Sequence, residues 1–312
     1  MKHIVVVTPC YNEEENVREL FTQVAQVFEG LKDRYTFEHL FIDNASKDRT
    51  QAVLREMSKQ DPRVKAIFNL GNFGHIRSPF YAVLQSEGDA TILMAADFQD
   101  PPPMIVDFVR QWEAGHPVVM AMKTASRESA PMYWIRTGYY GFVNRLSNIE
   151  LTKNTTGFGL YDRQVVEQLR RVNDPYPYFR GLISELGFKP AIVEFNQPAR
   201  KRGITENNFY TLYDIAMLGI TNHSKVPLRV ATIAGFFMSG VSLFLAVAFF
   251  IAKLIFWNKF ELGLAPILIG LFFFSSVQLF FIGIIGEYIG SIHTQVLNRP
   301  LVVERERIGF ST

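Results

Sequence analysis

The stretch TILMAADFQDPPPM, Thr91 to Met104, sets the fold problem: a run apolar enough for a buried strand leads into two carboxylates, a glutamine and three consecutive prolines. Side chains alternate along a strand, so a strand ending in Asp97 puts Gln99 on the same side of the extended chain. Two oxygen donors at the rim of a sheet suit a hard divalent cation, and magnesium takes one or two carboxylates and completes its shell with substrate phosphates. Pro101, Pro102 and Pro103 then stop the strand and restrict the turn into the next helix. The alternative reading of this stretch by itself is an ordinary strand-to-helix turn capped by Asp100.

Outward from this stretch, the short runs HIVVVTP, EHLFID, VKAIF, ATILMAAD, VVMAM and AIVEF alternate with segments of helical period. That alternation predicts an α/β fold with a mostly parallel sheet flanked by helices. Val17, Leu20, Phe21, Val24 and Val27 form one helical stripe that covers the sheet. Further helices are expected to begin near Asp48 and at Ser78–Pro79, the serine as N-cap and the proline in the first turn. The polar clusters TPCYNEEEN, DNASKDRT, NLGNFGH and DFQDPPP follow the first four runs. Ligands of open α/β sheets sit beyond the carboxyl ends of the strands, where these clusters collect. With Asn12 and Glu13 after the first run, Asp43 at the end of the second and Asp97 at the fourth, the rim points to a nucleotide site.

The chain has 312 residues, a net charge of +2 and a single cysteine, Cys10. One cysteine excludes an internal disulfide framework and a multi-cysteine metal site. No basic stripe interleaved with aromatics marks the polar part, so no nucleic-acid partner is expected. From Val230 the sequence turns apolar, and after NKFELG it does so again to Gly290. Each run has room for the roughly 20 residues that cross a bilayer, which predicts two transmembrane helices, at 227–257 and 264–290. Basic residues before the first and after the second place both ends in the cytoplasm by the positive-inside rule. The start of the chain lacks the pattern of a secretory signal. The expected organisation is a cytoplasmic domain over 1–206, an amphipathic helix lying on the bilayer over 207–226, the two spans, and a cytoplasmic tail over 291–312.

Six motifs in order resemble one family: VVTPCYNEEENV, FIDNASKDRT, NFG, ADFQDPP, TGFGLYDRQVV and RKRGIT, followed by the apolar pair. They are similar to those of the family 2 glycosyltransferases with the GT-A fold, and within these the polyprenyl-phosphate glycosyltransferases, relatives of dolichyl-phosphate mannose synthase and bactoprenol glucosyltransferases. The resemblance implies inverting transfer of one sugar from a nucleotide-sugar, with UDP-glucose the first choice, to a polyprenyl phosphate at a bacterial inner membrane. It implies that Pro9, Tyr11, Asn12, Glu13 and Asp43 hold the nucleoside, while Arg200 and Arg202 close over the donor diphosphate. Asp97 and Gln99 would carry Mg2+ or Mn2+, with Asp97 and Asp100 the catalytic carboxylates. Lys123, Arg127 and Arg136 match the residues for the lipid phosphate. Two helices per chain suggest a homo-oligomer around membrane lipid, with Gly235, Ser239 and Gly240 permitting close helix packing.

Three positions depart from the family pattern. Ala95 stands for the first acid of the usual D-A-D, Asn44 for the second acid of D-D-G-S, and Gly157 for an acid that some bactoprenol relatives carry. These departures leave open a second reading, a membrane scaffold or regulator with an impaired glycosyltransferase fold.

Overall fold

The computed structural model describes residues 1–124, 155–198, 217–221, 224–256 and 264–310. Eight strands form one sheet: β1 Lys2–Cys10, β2 Tyr35–Asp43, β3 Val64–Asn69, β4 Ala90–Leu93, β5 Val118–Lys123, β6 Thr155–Asp162, β7 Ala191–Phe195 and β8 Glu304–Ile308. Their spatial order is β7-β5-β6-β4-β1-β2-β3-β8. The sheet is mixed: β1 pairs in parallel with β2 and β4, β2 with β3, and β5 with β7, while β6 runs antiparallel to β4 and β5, and β8 antiparallel to β3.

At the centre of the sheet β1 is buried on both faces, which is why its sequence is a near-continuous apolar run. Ile4 and Val6 join the core beneath α1 (Val17–Glu29), α2 (Thr50–Gln60) and α4 (Ile105–Glu113). Val5 and Val7 join the opposite core, with side chains from α3 (Gly74–Leu84), α5 (Arg163–Arg170) and α6 (Phe179–Glu185). The predicted stripe of α1 holds, with Val17, Leu20 and Val24 fully buried. Burying side chains of this size stabilises by about 1.5–3 kcal/mol each before entropy is charged.

The third helix starts earlier than the sequence suggests. It begins at Gly74 and contains Pro79 in its interior. The Asn72 side chain accepts from the Gly74 amide at 2.9 Å and so takes the capping role expected of Ser78. Ser78 instead lies buried, its hydroxyl accepting from Asn69 Nδ2 at 3.1 Å.

Two long helices follow, α7 (Val226–Ile255) and α8 (Leu264–Leu297), with mean hydropathy of 2.2 and 2.1 in their most apolar windows. Both are long and apolar enough to cross a membrane, and neither most-apolar window has buried residues. Tyr288, late in α8, donates its hydroxyl to the Ser224 carbonyl just before α7, so the two helices run as an antiparallel hairpin. At the base of the hairpin Gln295 donates to Asp174 at 2.8 Å, and Arg77 donates to the Pro300 carbonyl. The chain then returns to the sheet, where Leu70 N donates to Val303 O at 2.8 Å and β8 adds to the edge of β3. The expected interfacial helix over 207–226 falls mostly outside the described residues, of which 217–221 are helical.

Candidate active site

The carboxyl ends of β1, β2, β3 and β4 meet at one rim, and the first two loops are laced together there. Asn12 N donates to Ser46 Oγ at 2.9 Å, and Lys47 N donates back to Asn12 Oδ1 at 2.8 Å. Glu13 N donates to Thr50 Oγ1 at 2.8 Å, and the Glu13 carboxylate accepts from Asn16 Nδ2 at 2.6 Å. Asn12 through its side chain and Glu13 through its backbone amide thus tie the two loops, while the Glu13 carboxylate bonds Asn16 of its own loop. Pro9, opposite Ile42 on β2, and the half-buried Tyr11 stand just before this lacing.

Asp43 ends β2 and is fully buried. Its Oδ2 accepts from Ser46 N at 3.1 Å and from Gln51 Nε2 at 2.6 Å. Its Oδ1 has no hydrogen-bond partner among the described residues, and the same holds for the buried Oδ1 of Asn69 at the end of β3. Buried acceptors are ordinarily satisfied, so two orphans at adjacent strand ends mark a place for a ligand with donors. Cys10, opposite Asp43, is buried, and burial first, then the charges of Glu13, Asp43 and Asp48, push its thiol pKa well up, which disfavours the thiolate.

Asn44 is held by a local network. Its amide donates to Asn72 Oδ1 at 2.7 Å and to the Gly74 carbonyl at 3.3 Å, and accepts from Asn69 Nδ2 at 3.2 Å and Phe73 N at 2.9 Å. This bracket joins the loop after β2 to the loop after β3.

The opening stretch needs a correction. The strand ends at Leu93, short of Asp97, and Phe98 has φ of 59°. Asp97 and Gln99 therefore flank a turn and do not alternate along an extended chain; Asp97 Oδ1 accepts from Gln99 N at 3.1 Å. Asp100 closes the turn, its Oδ2 accepting from Ala95 N at 2.8 Å. The buried Phe98 ring packs in the core and holds this backbone in place. Pro102 opens a short 3-10 turn that leads into α4, as the prolines suggested.

Asp97 and Asp100 are each only 7% exposed. Burial, and then the charge of Asp97, pushes the Asp100 pKa up to about 7 against the opposing Ala95 amide and the Lys123 cation. No group of three His, Cys, Asp or Glu side chains able to hold a metal occurs among the described residues. Asp97 and Asp100 are oxygen donors of the kind that suits magnesium or manganese completed by phosphate oxygens, and a cation beside them would relieve the repulsion that raises Asp100.

Lys123 ends β5, and Met122 beside it pairs with Thr155 of β6. There a cation that the sequence reading passed over enters: Arg180, at the start of α6, donates to the Thr155 carbonyl at 2.6 Å. Its only signal was a lone arginine after the proline- and aromatic-rich DPYPYF. Gly157 lies nearby in β6, where an added Cβ would make only ordinary contact with Leu93, so packing does not exclude a side chain there. Arg127, Arg136, Arg200 and Arg202 lie outside the described residues.

Fold and rim together define an α/β protein whose polar loops gather beyond the strand ends. A family model, Glycosyl transferase family 2, matches residues 5–170. The uncharacterized glycosyltransferase YkcC of Bacillus subtilis (strain 168) is 33% identical over 307 residues, covering 98% of this chain and 94% of that protein. The SfII prophage-derived bactoprenol glucosyl transferase of Shigella flexneri is 33% identical over 299 residues, covering 95% of this chain and 96% of its own. Among solved structures, the glucosyl-3-phosphoglycerate synthase of Mycobacterium tuberculosis in complex with UDP aligns at 15% identity and a TM-score of 0.46, over 70% of this chain and 78% of that one. The chain belongs to glycosyl transferase family 2: it is a glycosyltransferase of the GT-A fold.

Proposed function

We propose that this enzyme moves one sugar, glucose in the first instance, from a UDP-sugar to a polyprenyl phosphate at the cytoplasmic face of a bacterial inner membrane. The observation that carries the donor half is the buried, unpartnered Oδ1 of Asp43 at the rim, an acceptor suited to a nucleoside donor. The acceptor half draws on the 33% likeness to a bactoprenol glucosyl transferase along nearly all of both chains. It also draws on the two long apolar helices, the second of which leads back to the sheet through β8.

In this reading Pro9, Tyr11 and Asp43 contact the nucleoside, Asn12 and Glu13 keep the loops in register, and Arg200 and Arg202 pair with the donor diphosphate. Lys123, with Arg127 and Arg136, orients the lipid phosphate against the anomeric carbon. A phosphate oxygen forms the new bond to that carbon as the bond to the nucleoside diphosphate breaks, with inversion. The attacking oxygen is already anionic at neutral pH, so the step needs no strong base, which is compatible with Gly157. Asp97 and Gln99 would hold Mg2+ or Mn2+, which supplies charge neutralisation on the departing diphosphate. Asp100 fixes the turn that presents them. The helices associate with membrane lipid and with further copies of the chain, Gly235 and Ser239 lining the groove between α7 and α8.

The test is transfer of radiolabelled sugar from a panel of UDP- and GDP-sugars to undecaprenyl phosphate by purified protein, with metal or with chelator. Label should enter the lipid with a UDP-sugar and metal, and Asp97→Ala should lower the rate by about 100-fold or more. Folded wild-type protein that labels no lipid from any donor would favour the scaffold reading.

A further inference from the structure

We propose that Arg305, carried back to the sheet from beyond the second long helix, is a positioning residue for the nucleoside end of the donor site, acting through Gln51 on Asp43. This rests on the reading that Asp43 receives the nucleoside. Gln51 Nε2 donates to Asp43 Oδ2 at 2.6 Å, and Gln51 Oε1 accepts from Arg305 Nη2. A glutamine amide can present either end, and its carbonyl turned toward Asp43 would repel the carboxylate. A guanidinium only donates, so Arg305 fixes the amide with its NH2 toward Asp43. The carboxylate is thereby held from one side, with Oδ1 left as the acceptor for a ligand.

The backbone is shaped for this contact. In regular pairing Arg305 and Arg307 would share a face of β8. Arg307 does reach α3, donating to Tyr81 Oη at 3.2 Å and Gln85 Oε1 at 2.7 Å. The β3–β8 register, however, passes from Phe68↔Glu306 to Asn69↔Glu304, leaving Arg305 as the extra residue of a bulge. Bulges re-aim side chains. Here Arg305 turns to the α2 face beside Glu306, which holds Arg55 of α2 through two bonds of 2.6 Å. The Arg55–Glu306 pair fastens the strand, and Arg305 is left to act on Gln51.

The two roles separate by titrating UDP and GDP into full-length protein in detergent micelles. Wild type should bind one of them, and Arg305→Ala should weaken that nucleotide about tenfold, the scale of one charge-assisted hydrogen bond. Gln51→Ala should match it, and the double variant should be no worse than either single one, because both break one relay. Arg305→Lys should recover part of the loss. Glu306→Ala, which loosens the strand without touching Gln51, should bind as wild type. In turnover, Arg305→Ala should raise the donor KM with kcat and the lipid KM unchanged. Wild-type affinity in Arg305→Ala, or an equal loss in Glu306→Ala, would overturn the relay while leaving the donor reading intact. Failure of the wild type to bind either nucleotide would overturn the donor reading, and the relay with it.

Discussion

The Asn44 side chain makes four hydrogen bonds, and a carboxylate in its place could keep only the two it accepts. An acid at this position should therefore harm this chain. Asn44→Asp buries a charge facing Asn72 Oδ1 and the Gly74 carbonyl, at a cost of about 1–3 kcal/mol. The expected outcome is a lower unfolding midpoint in detergent; an unchanged or raised one would show that the bracket is not what Asn44 is for. The same rim concentrates backbone strain. Asn12, Ala45 and Phe98 all have φ near 60°, one in each of the loops after β1, β2 and β4. Asparagine adopts that conformation readily, whereas alanine and phenylalanine keep it only where their surroundings compel it. The bonds of Asn44 and Ser46 on either side of Ala45, and the buried ring of Phe98, supply that compulsion.

Among the elements, β6 carries the sharpest steric demand. A Cβ at Gly159 would lie 2.2 Å from the Val119 carbonyl of β5, whereas one at Gly157 meets only a Leu93 methyl at 3.6 Å. Gly159→Ala should thus cost more than about 2 kcal/mol, by forcing β5 and β6 apart, and Gly157→Ala should be tolerated. Thermal unfolding of the two variants side by side checks this, and equal midpoints would refute it. The strands legible in the sequence are β1, β2, β3, β5 and β7, which all appear where apolar runs predict them, the first four largely buried and β7 with only Phe195 buried. β6, with two glycines in TTGFGLYD, reads as a motif and not as a strand, so its antiparallel insertion between β4 and β5 is hidden. β8, ERERI, offers one apolar residue in five, because an edge strand gains from charge and needs little burial. At the site, Asp43 and Asp97 were legible as acids after apolar runs. The turn at Phe98 was not, since nothing in a phenylalanine announces a positive φ. Arg180 was not, since only tertiary packing brings it to Thr155.

For the whole molecule, acid stability turns on a histidine at the middle of the sheet. His39 is fully buried, stacks on Phe41 at 4.0 Å and shares a 2.9 Å hydrogen bond with Thr8. Burial lowers its pKa to about 3. An unfolded chain takes up that proton below about pH 6.5 and the folded chain does not, so stability is lost as pH falls from there toward 3. Between pH 7.5 and 5 the loss from this residue is about 2 kcal/mol. His39→Gln can keep a bond to Thr8 and carries no such proton, so its unfolding free energy should fall less over that interval; parallel pH profiles would remove His39 as the cause.

The return of the chain to the sheet also sets an order of events during synthesis. The strand that covers the β3 edge is made after both long helices, so the nascent domain holds that edge bare until both have been translated. Arg305 arrives with it, so a ribosome-bound chain has Asp43 and Gln51 long before it has the cation that bonds Gln51. Both long helices are thus complete before the chain of contacts from Asp43 through Gln51 to Arg305 can close.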